Sequence, residues 1–559
     1  MDSRLTVTAE AKAENWSVKF QAKRVSDELI NKLLPAEWVS SDPSHARKGM
    51  MNLSGIISGR LKAVNQFGIT TEVVGLTDLT KDGALASENL QFKTQLEGKK
   101  IFNNQWAWQS TSHMTGGALY VDPVYVEAGL QPITLKARGL WNSKTKQADI
   151  QAFTYQHPET GTLSGSALAY YRRGLRFDRA DVTLQSDTLQ KLAEIYVNPF
   201  YAESPFQSLA LTGALQANFT FKQHSLTDAA LELKKLNVND AAKRLTVNDG
   251  NAAINWSADP LIVKQSELSW RQLNVKGLPI VAAKLKFTSQ ADRFHLAEAV
   301  KLPFLNGMMA VDRFSWRGGK QEEPDVTFAG SLDNVSLEQL TRRLHWTPLL
   351  GNISGQIPGV AYRDNSLKLD GGLTINIFDG IVKINNLSSS GLFSNMPKLA
   401  GDVELQHLDL EQLTSKFEFG RITGRLSGFI NKLELENWRP VTFFAWLDTP
   451  EDDDSKHRIS QKAVKNIASI GGGAASDFLS RSFLGFFETF CYDKIGVGCY
   501  LHNGVCQMLG LEAVGEGYYL IKGGGLPRIE VLGYNSQINW DVLVERLSRV
   551  ASPDTVIVQ

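Results

Sequence analysis

Long hydrophobic runs are missing from this 559-residue chain. A bilayer-spanning helix needs about eighteen or more consecutive apolar residues. The nearest approach, Ile467 to Phe490, is broken by Asp477, Arg481 and Glu488. Excess charge is missing too: 59 Lys and Arg balance 59 Asp and Glu. That balance excludes the strongly basic character with which proteins grip nucleic-acid phosphates. Proline is scarce, at 18, which suits long sheets, because proline removes a ladder donor. The nine histidines are scattered, with no His-Glu-x-x-His. Gly-x-Ser-x-Gly elbows, phosphate loops and dinucleotide fingerprints are also absent. Lys522-Gly523-Gly524-Gly525 is glycine-rich, but it follows a strand pattern, Tyr518 to Ile521, and precedes Pro527, so it reads as a turn. These absences predict a protein that is not an enzyme and takes no cofactor, metal or nucleic acid. Met1 to Val7 begins directly in a strand pattern, so no signal peptide is read there.

What the chain does have is period-two alternation. Ile133, Leu135 and Ala137 alternate with Thr134, Lys136 and Arg138. Leu209, Leu211, Leu215, Ala217, Phe219 and Phe221 share one face, and Thr212, Ala214, Gln216, Asn218 and Thr220 the other. Val403 and Leu405 alternate with Asp402, Glu404 and Gln406. Such patterns predict a mainly β fold of half-buried antiparallel strands, recurring from Leu5 to Trp446 with turn signals such as Phe378-Asp379-Gly380 between them. The apolar face admits two readings, the core of a closed sandwich or solenoid and an open groove. Periodicity does not separate them.

Short helices interrupt the strands. Thr188 to Tyr196, Leu337 to Leu344 and Leu410 to Phe417 read as helical. Two of them share a core, Leu337-Glu338-Gln339-Leu340-Thr341 and Leu410-Glu411-Gln412-Leu413-Thr414, 73 residues apart. Leu189-Gln190-Lys191-Leu192 is a weaker copy 148 residues before the first. Each is followed by a glycine-bearing strand: Gly351-Asn352-Ile353-Ser354-Gly355, Gly420-Arg421-Ile422-Thr423-Gly424 and Leu211-Thr212-Gly213. The shared order predicts a degenerate repeat.

This order resembles the AsmA-like proteins of bacterial envelopes, a group that includes TamB-like, YhdP-like and YdbH-like proteins. The similarity is densest at residues 330–447, in Gly351 to Val360, Leu408 to Leu413 and Gly420 to Gly428. It continues in the tail at Arg458 to Val464, Leu484 to Phe487, Asn503 to Cys506, Tyr518 to Gly523 and Pro527 to Ile529. The resemblance implies an elongated, twisted antiparallel sheet curled into an open U-shaped groove. Residues 1–447 would form the repetitive groove, best defined over 182–447, and residues 448–559 a C-terminal cap with two helices and a hairpin. It also implies a periplasmic lipid-transfer bridge between inner and outer membranes. Phospholipid or another acyl lipid would be the cargo, an anchor upstream of the present sequence would hold the inner membrane, and an outer-membrane partner would meet the far end. Leu209, Leu211, Leu215, Phe219, Phe221, Val403 and Leu405 are then the expected lipid-groove residues. A closed-core scaffold or adhesin is the alternative.

The tail offers further candidates. Ser455 to Ile470 reads as one helix, striped by Ile459, Ala463, Ile467 and Ile470, which suits packing on the sheet end. Ser476 to Phe490 reads as a second. Its Phe478, Leu479, Phe483, Leu484, Phe486, Phe487 and Phe490 are apolar over more than one stripe, so the segment either touches a membrane or partner or caps the sheet. Gly471 to Gly473 would be the corner between them. The acidic Glu451-Asp452-Asp453-Asp454 lacks the spacing of a calcium loop and reads as a solvated turn favouring the following helix. Cys499 and Cys506 flank a turn and are expected to form a structural disulfide, with Cys491 a third thiol. A turn at His502-Asn503 would set the pair opposite each other, and one at Asn503-Gly504 would set it diagonally.

Overall fold

The computed structural model describes residues 4–25, 48–80, 82–171, 175–201, 209–241, 243–275, 277–319, 322–343, 348–363, 366–390, 396–472 and 487–551. Strands make up 72% of the fold, and five short α-helices accompany them among the described residues: α1 (Leu189–Tyr196), α2 (Leu337–Arg343), α3 (Leu410–Lys416), α4 (Gln461–Gly471) and α5 (Trp540–Ala551). Contacts divide the chain into two units, Met1–Asp292 and Arg293–Gln559. The expected boundary at 447/448 falls inside the second.

In the first unit the strands pair antiparallel almost entirely in chain order, from Arg4–Lys12 to Leu278–Gln290. One short strand, Val124–Glu127, folds back on the end of Gln105–Val121, whose remainder pairs with Ile133–Asn142. Among the described pairings Arg4–Lys12 has a partner on one side only, so the sheet does not close into a barrel. The second unit repeats this meander from Gly307–Gly319 to Arg439–Asp448. There Thr489–His502 serves several partners. Its first half pairs with Arg458–Ser460 and Gly517–Gly523, and its second half with Arg439–Asp448 and Val505–Gly510.

The long strands are bent by bulges of one recurring design. A residue inside a strand takes positive φ and slips the register, and a side-chain oxygen on a neighbouring strand accepts the N–H this frees. Arg24 donates to Asn52 Oδ1 (3.1 Å), Lys235 to Asn251 Oδ1 (3.1 Å), Asp249 to Asn237 Oδ1 (3.0 Å) and Lys432 to Asp402 Oδ1 (2.8 Å). Bulges raise local twist and bend the strand, and the captured N–H avoids an unsatisfied donor. Each bulge also switches the side-chain parity. Hence Leu231 and Leu233 continue on the same face as Leu236 and Val238.

The expected repeat is present contact for contact. Asn334 and His407 are bulge residues 73 positions apart, donating to Ser354 Oγ (3.0 Å) and Ser427 Oγ (2.9 Å). Leu337 and Leu410 open α2 and α3 and donate to the carbonyls of Gly351 and Gly424, both at 3.0 Å. Thr341 and Thr414 return their hydroxyls to Leu337 and Leu410 at 2.8 and 2.7 Å. These contacts correct the glycine alignment. Gly351 corresponds to Gly424 (φ 135° and 130°), not to Gly420, so the matching strand is Gly424-Arg425-Leu426-Ser427-Gly428. The displaced segment has another partner, since Ile422–Thr423 pairs with Arg458–Ser460 of the tail. In the weaker copy α1 buries Leu189, Leu192 and Ala193. Alanine stands where the others have threonine, keeping the buried face without the hydroxyl bond.

A methyl group added at Gly424 would meet Tyr492 Oη at 2.4 Å in a backbone conformation that L side chains rarely adopt. Gly424→Ala should therefore lower unfolding stability in urea by about 2–3 kcal/mol. Gly83→Ala also sits at positive φ (70°) but meets nothing within 4 Å, and should cost only about 1 kcal/mol. Equal losses would contradict this assignment.

Candidate functional site

The strand registers align the apolar side chains into rows that cross the sheet. In the first unit one row runs Leu96, Ser110, Ala137, Phe153, Gly165 and Val182, then continues through Phe219 and Ala229 to Trp256. A neighbouring row runs Leu163, Leu184, Ala217, Leu231 and Ile254. A third joins Leu215, Leu233, Ala252, Leu268 and Leu285. Thr94 and Ser112 interrupt the face in its first strands, where their hydroxyls satisfy each other at 2.9 Å.

This face contains a cavity of about 720 Å³ in the first unit. Val73, Leu90, Phe92, Met114 and Ile133 are among its walls, with Thr94, Ser112 and Tyr155 among its polar members. His113 belongs to the opposite face, where its Nδ1 lies 3.2 Å from Thr134 Oγ1. At the Tyr155 side α1 packs against Leu209–Lys222 and Val124–Glu127. Tyr196, its last residue, places its hydroxyl 2.7 Å from Tyr155 Oη and 2.8 Å from His157 Nδ1. Burial pushes both tyrosine hydroxyls up and the His157 imidazole down. The trio is therefore held uncharged near neutral pH, as an apolar surrounding requires.

The expected groove residues fall into two sets. Leu209, Leu211, Leu215, Phe219 and Phe221 share one face of Leu209–Lys222, and all five are half-buried, whereas Ala210, Thr212, Gln216 and Asn218 are exposed. Only Ala217 of that strand is fully buried. Val403 and Leu405 are also half-buried, but they belong to the second unit. There Val403 stands in a row from Leu332 through Leu373, Ile384 and Ile430 to Ala445 and Cys499. The sequence pattern puts Ile133 and Leu135 of this wall on an apolar face but does not single out Val73, Leu90, Phe92 or Met114. A usable signal was the broken alternation at bulges: Val73-Val74-Gly75-Leu76 and Leu233-Lys234-Lys235-Leu236 keep one face apolar across a three-residue step.

At the tail the row ends in a filled core. Phe443, Leu501, Cys506, Met508 and Ile538 are buried with Cys499, under Ile470 of α4 and Trp540 and Leu543 of α5. Phe443 and Trp540 meet edge to face at 5.3 Å. The turn falls at Asn503-Gly504, both at positive φ, so Cys499 and Cys506 sit diagonally with Cα atoms 5.6 Å apart, and a disulfide joins them. Cys491 is free.

Two expectations about the tail are corrected. Phe490 is no surface contact: it is 0% exposed and lies in strand Thr489–His502, opposite Ile459. Phe487 is half-buried outside any helix, and its carbonyl accepts from Gln461 Nε2 (2.6 Å). Phe478, Leu479, Phe483, Leu484 and Phe486 lie outside the described residues. Ile459 likewise sits in a strand, and the first tail helix starts at Gln461 with Ser460 as its cap.

The acidic turn is not uniformly solvated either. The Asp453 side chain is 1% exposed and accepts from Arg425 N (2.7 Å) and Ser455 N (2.9 Å), with His457 Nε2 at 3.0 Å. His457 stacks on Tyr492 at 4.9 Å, and Tyr492 Oη donates to Thr423 O. Asp453 thus ties the tail to the repeat strand at Arg425. No family model, curated protein or solved structure matches the chain.

Burial alone would raise the Asp453 carboxyl, but the hydrogen bonds from Ser455, Arg425 and His457 outweigh it and bring its pKa to about 2. A carboxylate lowered on folding contributes stability above its unfolded pKa, near 4, and loses it as pH falls toward 2. Urea midpoints should therefore drop by an amount corresponding to about 2 kcal/mol over that window. Asp453→Asn should remove most of that slope, and an unchanged slope would rule Asp453 out as its source.

Proposed function

We propose that this chain is a non-catalytic lipid-transfer protein of the cell envelope, AsmA-like in kind. Each unit's bent sheet would form an open, U-shaped groove for the acyl tails of phospholipid moving between inner and outer membranes. The observation that carries this reading is the aligned apolar face, whose members are half-buried along Leu209–Lys222 rather than packed into a sealed core. Exposing an acyl chain to water costs about 0.8 kcal/mol per CH₂, or roughly 12 kcal/mol for sixteen carbons. A face that stays apolar from strand to strand removes most of that barrier without chemistry, while head groups remain in water. The cavity walled by Val73, Phe92 and Met114 gives room for a tail, and the tail core around Leu501 and Cys506 closes the second unit's face at its end.

The setting that fits is the periplasm, where the Cys499–Cys506 bond is chemically at home. An inner-membrane anchor upstream and an outer-membrane partner would complete the bridge. A closed-core scaffold would instead bury Leu215 and Phe219 fully.

Leu215→Arg places a charge on the apolar face and should abolish binding of a fluorescent phospholipid to the purified chain while leaving its circular dichroism unchanged. In cells it should block lipid passage without lowering protein level. Full binding by a folded Leu215→Arg protein would sink the groove.

A further inference from the structure

The chain is electrically neutral as a whole, but its charge is unevenly placed in the first unit. The strands pair in chain order, so alternate turns gather at one end. Those between Lys12 and Asn15, Arg60 and Ala63, Phe102 and Gln105, and Asn142 and Gln147 share an end. They are contiguous. Leu61 donates its N–H to Glu14 O (2.7 Å) and Ser143 to Asn104 O (2.9 Å), and one open hollow is walled by Trp16, Arg60, Leu61, Lys99, Ile101 and Phe102.

Within three residues of these four turns stand Lys12, Arg60, Lys62, Lys99, Lys100, Lys144 and Lys146, against the acids Glu10, Glu14 and Asp149. Arg60 Nε donates to Glu14 at 2.8 Å and neutralises it. The opposite ends of these strands are mixed in charge, with Arg4, Lys23, Arg24 and Lys48 beside Asp78, Asp82, Asp122 and Glu127, and with Glu159 paired to Lys191. Among the lysines stand large apolar side chains in water: Leu61 is 66% exposed, Phe102 68% and Ile101 48%. Trp16 lies beside them, half-buried, its indole N–H donating to Leu61 O (2.9 Å).

We propose that these hairpin tips dock the first unit on the surface of an anionic phospholipid bilayer. Lysines at the head groups with aromatic and aliphatic tips entering the acyl boundary are the two attractions that hold a protein at a membrane interface. Nucleic acid would use the lysines but leave Leu61, Ile101 and Phe102 in water. The dock uses other residues than the apolar face, so it stands or falls independently of lipid carriage.

The test is flotation of the full chain with vesicles of phosphatidylcholine, with and without phosphatidylglycerol. Binding should require phosphatidylglycerol and weaken with salt. Each lysine contact near an anionic surface contributes about fivefold, so a Lys62→Glu, Lys99→Glu, Lys144→Glu protein should bind at least about a hundredfold more weakly. Phe102→Ser should also weaken binding with every charge retained. Leu215→Arg should float as the parent does, which separates docking from groove occupancy. The proposal is overturned if the triple variant floats like the parent, if neutral vesicles bind equally well, or if duplex DNA competes as strongly as phosphatidylglycerol vesicles.

Discussion

A sheet of long strands with one apolar face must keep that face in step while each strand twists, and here bulges do this. Each spends one residue at positive φ and frees one N–H, and Asn52, Asn251, Ser354 and Ser427 supply the oxygens that accept those donors. A freed N–H left unpaired at each bulge would cost about 1–3 kcal/mol. The parity switch at the bulge keeps leucine and valine on one side while the strand changes direction. Extra twist and an apolar face that carries on past the bulge are therefore two results of one device.

The same economy appears at the helices. Leu337 and Leu410 each cover the strand end they follow, and each N–H is taken by a glycine carbonyl from the returning strand. In the second copy this returning strand also holds Arg425, whose N–H reaches the buried Asp453. The repeat thus ends on a tail that is bonded to it through a charged group, while Ile470, Trp540 and Leu543 fill the apolar end. The face is half-buried along Leu209–Lys222 in one unit and filled beneath the cap in the other.

Much of this was legible in the order of residues. Alternation at Leu209 to Phe221 placed five side chains on one face, and the matched pentapeptides at Leu337 and Leu410 revealed a true 73-residue period. Gly420 misled because its neighbours imitate the motif, whereas the hydrogen-bond register selects Gly424. Phe490 misled because aromatic density suits a helix and a buried strand equally, and its pairing with Ile459 is a long-range fact. Asp453 was hidden for the same reason: among four acids, burial singles out the one that meets Arg425 and His457. The Val73 part of the cavity wall escaped because Val73 and Leu76 break strict alternation at a bulge.

A lipid groove requires Phe219 to meet acyl chains while Asn218, one residue away, faces water. A photoreactive benzoylphenylalanine introduced at each position, with the cells illuminated and the protein purified, compares the two faces directly. The account predicts phospholipid attached at position 219 and none at position 218. Absence of lipid at both positions, or equal labelling of the two, would contradict it.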